Sequence, residues 1–294
     1  MAQPLFAFFG TPKFAVDVLN ALEANDLLPA LVITAPDKKS GRGMELKPSP
    51  AKAWALERGI DVATPETLKN EAFQAELANT EWDVFVVAAY AKLIPKKILD
   101  IPKHGSLNVH PSLLPKFRGP SPALSAILAD ERATGVTIMQ MTEKMDAGAV
   151  VAQAKVELDE ESWPPKGSEF EELLATEGGN LLAETLPLYL KGEITPELQD
   201  ESRVTVSRKF TDQDALIDLP RSNLGIDAKY AREAFLKIRA FDKGPRAYML
   251  VNGPDRQAKR VIITEAAWRE GNLEILKVIP EGKKEMLYKD FLRT

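Results

Sequence analysis

Asn108 and His110 stand two residues apart in the run Ser106-Leu107-Asn108-Val109-His110. Side chains alternate faces along a strand, so this spacing brings both out on one side. An amide N–H and a protonated imidazole are donors suited to a negative charge developing on a carbonyl oxygen. Downstream, Met145-Asp146-Ala147-Gly148 follows the apolar run Gly135–Met141 and puts a carboxylate in the turn after a neighbouring strand. A carboxylate beside the ring would hold the imidazolium charged and help move a proton. An amide, an imidazole and a carboxylate, with no covalent nucleophile, suit direct attack of an amine on an acyl or formyl carbon. The spacing is equally compatible with a plainer role, in which Asn108 and His110 only satisfy backbone groups at a strand end.

What the chain lacks narrows the field further. Its 294 residues include no cysteine and two histidines, His104 and His110. Thiol nucleophiles, disulfides and Cys/His zinc sites are therefore excluded, and no metal is expected. The first turn, Gly10-Thr11-Pro12-Lys13-Phe14-Ala15, has none of the glycine spacing of a dinucleotide fingerprint. No Walker loop and no G-x-S-x-G elbow is present. With 45% hydrophobic and 28% charged residues, the composition is that of an ordinary globular chain rather than a disordered one. No apolar run reaches 18 residues and the N-terminus has no signal-like pattern, which gives the expectation of a cytoplasmic protein without a membrane partner. Charge is unevenly spread: residues 1–204 hold 20 basic and 30 acidic side chains, residues 205–294 hold 18 and 13. A basic C-terminal part suits a polyanionic partner, or is simply a solvated surface.

The elements that must position these groups follow from periodicity. Leu5–Phe9 reads as a strand running into a helix from Pro12 to about Ala24, with Thr11 as its N-cap. Ala30–Thr34, Asp61–Ala63 and Val84–Ala89 read as further strands, separated by helical patterns at Ala51–Arg58 and Leu68–Leu77. Strands alternating with helices predict a doubly wound, mostly parallel sheet. Ser106–His110, Gly135–Met141 and Val150–Leu158 extend the strands, and Pro122–Ala129 and Gly167–Leu190 the helices. Residues 191–203 read as a polar linker. Beyond it, a helix at Ala228–Ala240 precedes short strand-like runs at Tyr248–Val251, Arg260–Thr264 and Leu273–Val278, which predict a small β-barrel. The four tryptophans, Trp54, Trp82, Trp163 and Trp268, are scattered and read as packing residues.

The stretch Ser106–Gly119, with Thr134–Met139 and Met145–Gly148, resembles the active-site signature of the 10-formyltetrahydrofolate-dependent formyltransferases. More narrowly, Phe9–Ala15, the loop Pro36–Gly43 with Pro48-Ser49-Pro50, and Pro280–Met286 are similar to the branch of that family acting on methionyl-tRNA. The resemblance spans nearly the whole chain. It implies an α/β, doubly wound Rossmann-like catalytic domain over residues 1–190, a linker at 191–203, and a reduced, basic, OB-like β-barrel at 204–294 that binds tRNA. It also implies catalytic roles for Asn108, His110 and Asp146, with the first two stabilising the oxyanion and Asp146 keeping His110 charged. Ser112, Leu113, Leu114 and Pro115 match the folate-binding loop, and Val87 and Tyr90 a wall of the same pocket. The formyl donor would be 10-formyltetrahydrofolate, and the acceptor the α-amino group of initiator methionyl-tRNA, for translation initiation. By composition alone the loop carrying Lys38, Lys39, Arg42 and Lys47 is a solvated connection. The resemblance makes it a tRNA contact, with Arg42 the most sensitive member and Lys283 and Lys284 adding contacts from the C-terminal part. A monomer is expected.

Two departures stand out. Ala91 follows Tyr90 where the family usually has glycine, and Ile238–Tyr248 lacks the usual Asn-Pro-Trp centre, with 46 residues after Tyr248. A trimmed barrel is the expectation. Two rivals remain at this point: a formyltransferase for an amino sugar nucleotide or other small amine, and an RNA-binding protein that has lost catalysis. The basic segments argue against the first and the intact Asn108, His110 and Asp146 against the second.

Overall fold

Short runs of β-branched and aromatic residues bounded by glycine and charged turns become the strands of this chain, and longer amphipathic runs become its helices. In the computed structural model, which describes residues 3–40, 44–219, 227–252 and 257–293, the order begins β1 (Phe6–Gly10), α1 (Lys13–Ala24), β2 (Leu31–Ile33), β3 (Lys38–Ser40), β4 (Glu45–Lys47) and α2 (Pro50–Glu57). It continues β5 (Asp61–Ala63), α3 (Glu71–Ala78), β6 (Val84–Ala88), α4 (Lys96–Leu99), β7 (Ser106–His110), α5 (Pro122–Leu128), β8 (Thr134–Gln140), β9 (Val150–Val156) and α6 (Gly167–Leu190). The last elements are α7 (Ala228–Ala240), β10 (Tyr248–Asn252), β11 (Ala258–Arg269), β12 (Asn272–Pro280), β13 (Met286–Leu287) and α8 (Tyr288–Phe291).

Contacts divide the chain into two compact units. One comprises residues 1–119, 133–157 and 171–206, and the other residues 120–132, 158–170 and 207–294. The first unit holds a seven-stranded sheet in the order β5-β2-β1-β6-β7-β8-β9. Its first five strands pair in parallel, while β8 and β9 join antiparallel. Alternation in β1 shows why both faces are covered: Phe6 and Phe8 enter one apolar cluster, Ala7 and Phe9 the other. Val18, Leu19 and Leu22 of α1, Trp54 of α2, and Leu182 and Leu186 of α6 complete the first cluster. Leu77 of α3 and Ile98 and Leu99 of α4 complete the second. Burying a side chain of this size contributes roughly 1.5–3 kcal/mol, so this double covering dominates the stability of the sheet.

Two local expectations change. Thr11 does not cap α1; Pro12 occupies the N-cap position, and the Thr11 hydroxyl turns instead toward Thr34 and the Ala35 N–H, both at 3.4 Å. The loop after β2 is not featureless, because β3 and β4 pair as an antiparallel hairpin.

The second unit carries an antiparallel sheet of four strands in the order β10-β11-β12-β13. Strand β13 is two residues long, and Tyr248 of β10 forms a parallel bridge to Leu216. Strand β11 runs well beyond the Arg260–Thr264 read from sequence. Register shifts at Ile263/Glu265 and Glu265/Ala266 interrupt its alternation, so the apolar pattern ends where the strand does not. Glu270 and Gly271, both at positive φ, form the two-residue turn into β12. In this unit Trp163 is buried against Phe170, and Trp268 stacks on Phe235. Trp54 and Trp82 are buried in the first unit, so all four tryptophans pack.

Candidate active site

Strand β7 places Asn108 and His110 as its sequence dictates. Leu107 and Val109 point into the first apolar cluster, which leaves Asn108 and His110 on the opposite face. Neighbouring strands fix their level: Asn108 lies beside Val87 of β6 and Met139 of β8, and His110 beside Thr137 of β8. Asn108 is half-buried, and no side-chain hydrogen bond engages its amide among the described residues. His110 is 4% exposed, its Nε2 lies 3.1 Å from the Phe117 carbonyl, and its Nδ1 lies 3.8 Å from an Asp146 carboxylate oxygen.

Asp146 reaches that position from the turn between β8 and β9, where its own φ is +50°. Its carboxylate accepts the Gly119 N–H at 2.7 Å. Gly148 is required in the same turn, since a Cβ there would fall 1.7 Å from the Gln140 carbonyl oxygen. The three residues singled out from spacing thus come together: the amide on the same strand face as the imidazole, and the carboxylate beside the ring.

Electrostatics revise one expectation. Burial is the largest influence on His110 and holds it below the ordinary imidazole value of 6.5, against the upward pull of Asp146 and the Phe117 carbonyl. The ring is therefore neutral at pH 7 in the free chain rather than a standing imidazolium.

The loop after His110 is tied down by side chains that sequence reasoning did not single out. The Thr137 hydroxyl donates to the Ser112 carbonyl at 2.6 Å and accepts the Leu114 N–H at 3.1 Å. The Gln153 amide adds bonds of 2.8 Å to the Leu114 carbonyl and to that same hydroxyl. Ser112 in turn donates to the Lys116 carbonyl at 2.6 Å. Leu114 is buried, the Leu114–Pro115 peptide is cis, and Leu113 is half-buried. Thr137 lies within the quoted motif and Gln153 within β9, but their bonding partners are non-local, and no sequence spacing announces them.

Val87 is buried near the end of β6, while Tyr90 lies just beyond it. The Tyr90 ring meets Phe9 edge-on at 5.6 Å, and its buried hydroxyl has no partner among the described residues. Burial pushes that phenol up to about 12. Tyr90 lines a cavity of about 410 Å³ together with Thr11, Ala35, Pro36, Asp37, Lys38, Glu66, Ala91 and Lys92. This cavity sits at the carboxyl ends of β1 and β6, where chain order reverses across the sheet and open α/β sheets bind ligands. Ser112–Pro115 is not part of its lining. Ala91 is exposed, and the left-handed residue of this loop is Ala89, at φ +49°, so alanine at position 91 meets no backbone demand for glycine.

Lys38, Lys39 and Lys47 lie exposed on the hairpin, with Lys38 and Lys47 directly opposite each other across it. Arg42 falls outside the described residues. Lys283 and Lys284 are exposed in the turn between β12 and β13 of the second unit. Among the described residues there is no cluster of acidic or histidine side chains able to hold a metal, and no helix is long and apolar enough to cross a membrane.

Comparison with known proteins adds an independent line. Residues 4–183 match the formyl transferase family. The methionyl-tRNA formyltransferase of Acidobacterium capsulatum is 37% identical, covering 97% of this chain and 95% of the relative. Among solved structures, HypX from Aquifex aeolicus in complex with tetrahydrofolic acid superposes with a TM-score of 0.64 at 18% identity, over 99% of this chain and 47% of that one. A methionyl-tRNA formyltransferase from Clostridium thermocellum gives a TM-score of 0.59 at 14% identity, over 95% of this chain and 99% of that one. At these identities the two structural likenesses speak to the fold.

Proposed function

The chain belongs to the methionyl-tRNA formyltransferase family, and from that premise we propose how its own residues move the formyl group. The donor is 10-formyltetrahydrofolate and the acceptor the α-amino group of methionine on initiator tRNA. The observation that carries the reading is an Asn108 amide that no side-chain hydrogen bond engages among the described residues, on the same strand face as His110, with the Asp146 carboxylate 3.8 Å from the ring. As the amine nitrogen bonds to the formyl carbon, negative charge builds on the formyl oxygen. On this reading the Asn108 amide and His110 stabilise it. The amine must lose a proton, and Asp146 is the base within reach. The bond from the formyl carbon to the folate nitrogen then breaks, and that nitrogen takes up the proton, so charge and protons balance. No covalent enzyme intermediate and no metal is required.

For the donor, we assign Ser112, Leu113, Leu114, Pro115, Val87 and Tyr90. The fit rests on two features: a fixed loop beside His110, and a tyrosine whose buried hydroxyl lacks, among the described residues, a partner that a polar ring ligand would supply. For tRNA we assign Lys38, Lys39, Arg42 and Lys47 in the first unit and Lys283 and Lys284 in the second. Cross-strand lysines at 38 and 47 repel each other, and a polyanion relieves that repulsion. Residues 1–190 would form the catalytic domain, 191–203 the linker and 204–294 the tRNA-binding domain of a cytoplasmic monomer acting in translation initiation.

The test is formylation of purified substrates. Initiator and elongator methionyl-tRNA and a panel of amino sugar nucleotides are each incubated with the protein and 10-formyltetrahydrofolate. Formyl-methionine on the initiator alone supports the reading. Formylation of a sugar amine alone would keep the chemistry and overturn the substrate, and tRNA binding without formylation would leave only a binding protein.

A further inference from the structure

The segment read from sequence as a linker does more than connect. From Glu197 on, it and the residues just beyond it, to Val206, lie along two of the loops that carry the reacting groups. Glu197 pairs with Val150 through both backbone groups, at 2.7 and 2.8 Å, just beyond the Asp146 turn. At the other end, Arg118 N–H donates to the Thr205 carbonyl at 2.9 Å, and the Thr205 hydroxyl accepts the Phe117 N–H at 2.8 Å. Phe117 is the residue whose carbonyl meets His110.

Between these two ties sits Gln199. Its amide nitrogen donates to the carbonyls of Asp146 at 2.9 Å and Gly148 at 2.7 Å. Its amide oxygen accepts both Nε and Nη2 of Arg118, at 3.0 and 2.9 Å. Both donors and both lone pairs of the amide are engaged, which fixes its orientation, because the guanidinium can only donate and the carbonyls can only accept. Arg118, 9% exposed, is held in turn by Glu201 at 2.8 Å.

We propose that Gln199, oriented by Arg118, is a positioning residue for formyl transfer, holding the Asp146 turn so that its carboxylate faces His110. The physical reason lies in the backbone of that turn. Asp146 sits in the left-handed region, which residues other than glycine adopt uncommonly, aspartate more readily than most, and which hydrogen bonds to the turn help hold. Its carbonyl and that of Gly148 are two of the hydrogen-bonding groups through which the turn can be held, and Gln199 takes both. Without the amide, the turn relaxes toward ordinary backbone angles and the carboxylate swings off the ring. This inference rests on the reading of Asn108, His110 and Asp146 as the reacting set.

The experiment combines kinetics with histidine titration on the full chain. With only two histidines, His104 and His110, side-chain NMR resolves the ring that matters. In Gln199→Ala, kcat should fall about 10- to 100-fold, the scale expected when a reacting group shifts by about an ångström, with KM for donor and acceptor within about two-fold. The His110 titration midpoint should also move down, because the Asp146 carboxylate no longer supports the charged ring. Arg118→Lys, which keeps the charge and loses the two-pronged grip on Gln199, should move both quantities in the same direction by less. Leu198→Ala, on the same segment with an exposed side chain, should leave both unchanged. An unchanged kcat in folded Gln199→Ala, or a reduced kcat with an unmoved or raised His110 midpoint, would overturn the proposal. The titration needs no substrate, so it still tests the geometry if the wild-type chain fails to formylate methionyl-tRNA.

Discussion

The end of β7 and the β3–β4 hairpin are both placed in the first unit, yet they are built in opposite ways. Around His110, side-chain hydrogen bonds hold backbone in place: Thr137 and Gln153 fix Ser112 and Leu114, and Gln199 fixes Asp146 and Gly148. On the hairpin, three lysines stand exposed, with two facing each other. A charge developing on one oxygen needs donors placed to a fraction of an ångström, so under the proposed function the first region uses its polar side chains for geometry. A phosphate backbone attracts any cation near it, so a hairpin that meets tRNA as proposed needs only to present charge. The expected consequence is a clean division, in which the strand end controls the chemical step and the hairpin controls binding.

The largest effect that would test this division is His110→Ala, expected to lower kcat about 10²- to 10³-fold in steady-state formylation while tRNA affinity holds. A comparable loss of affinity would merge the two regions. Next comes Thr137→Val, which keeps shape but leaves the Ser112 carbonyl and Leu114 N–H without their partner. Urea unfolding should show a loss of about 1–3 kcal/mol, with a raised KM for the formyl donor. For the hairpin, Lys38→Ala, Lys39→Ala and Lys47→Ala combined should raise KM for tRNA at constant kcat. The same triple variant should flatten the slope of log affinity against log salt by about two to three.

A smaller effect concerns pH. His110 is held below 6.5 in the folded chain, so the unfolded chain takes up its proton first as pH falls. The contribution to stability is complete above 6.5 and is lost between 6.5 and the lower folded value. Denaturation midpoints across that window should drop in the wild type and drop less in His110→Asn. Smallest is Lys47→Thr alone, which removes the like-charge pair with Lys38 and should stabilise the hairpin by about 0.2–1 kcal/mol, read from local hydrogen exchange.

The strand end was more legible in sequence than the hairpin, and the reason is physical. Alternation along β7 is a local property, so Asn108 and His110 could be placed on one face from spacing alone. The parallel core was legible for a related reason: Val84–Ala88 is apolar throughout because both its faces are covered. What escaped depended on partners distant in sequence. The protonation of His110 is set by burial, which no local pattern reveals. Gln199 sits in a polar stretch without periodicity, and its role comes from carbonyls some fifty residues away. The hairpin pairs Lys38–Ser40 with Glu45–Lys47, runs of charged residues that carry no strand signature. The grouping of residues 120–132 and 158–170 with the C-terminal part likewise follows contacts rather than chain order.

The central claim is that the strand end does chemistry and the hairpin does not. Single-turnover formylation of initiator methionyl-tRNA, with tRNA and 10-formyltetrahydrofolate saturating, tests it most directly when Asn108→Ala and the triple lysine variant are run beside the wild type. The account predicts a rate about 10²- to 10³-fold lower for Asn108→Ala and a wild-type rate for the lysine variant. A near-wild-type rate for Asn108→Ala, or an equal loss in both, would contradict it.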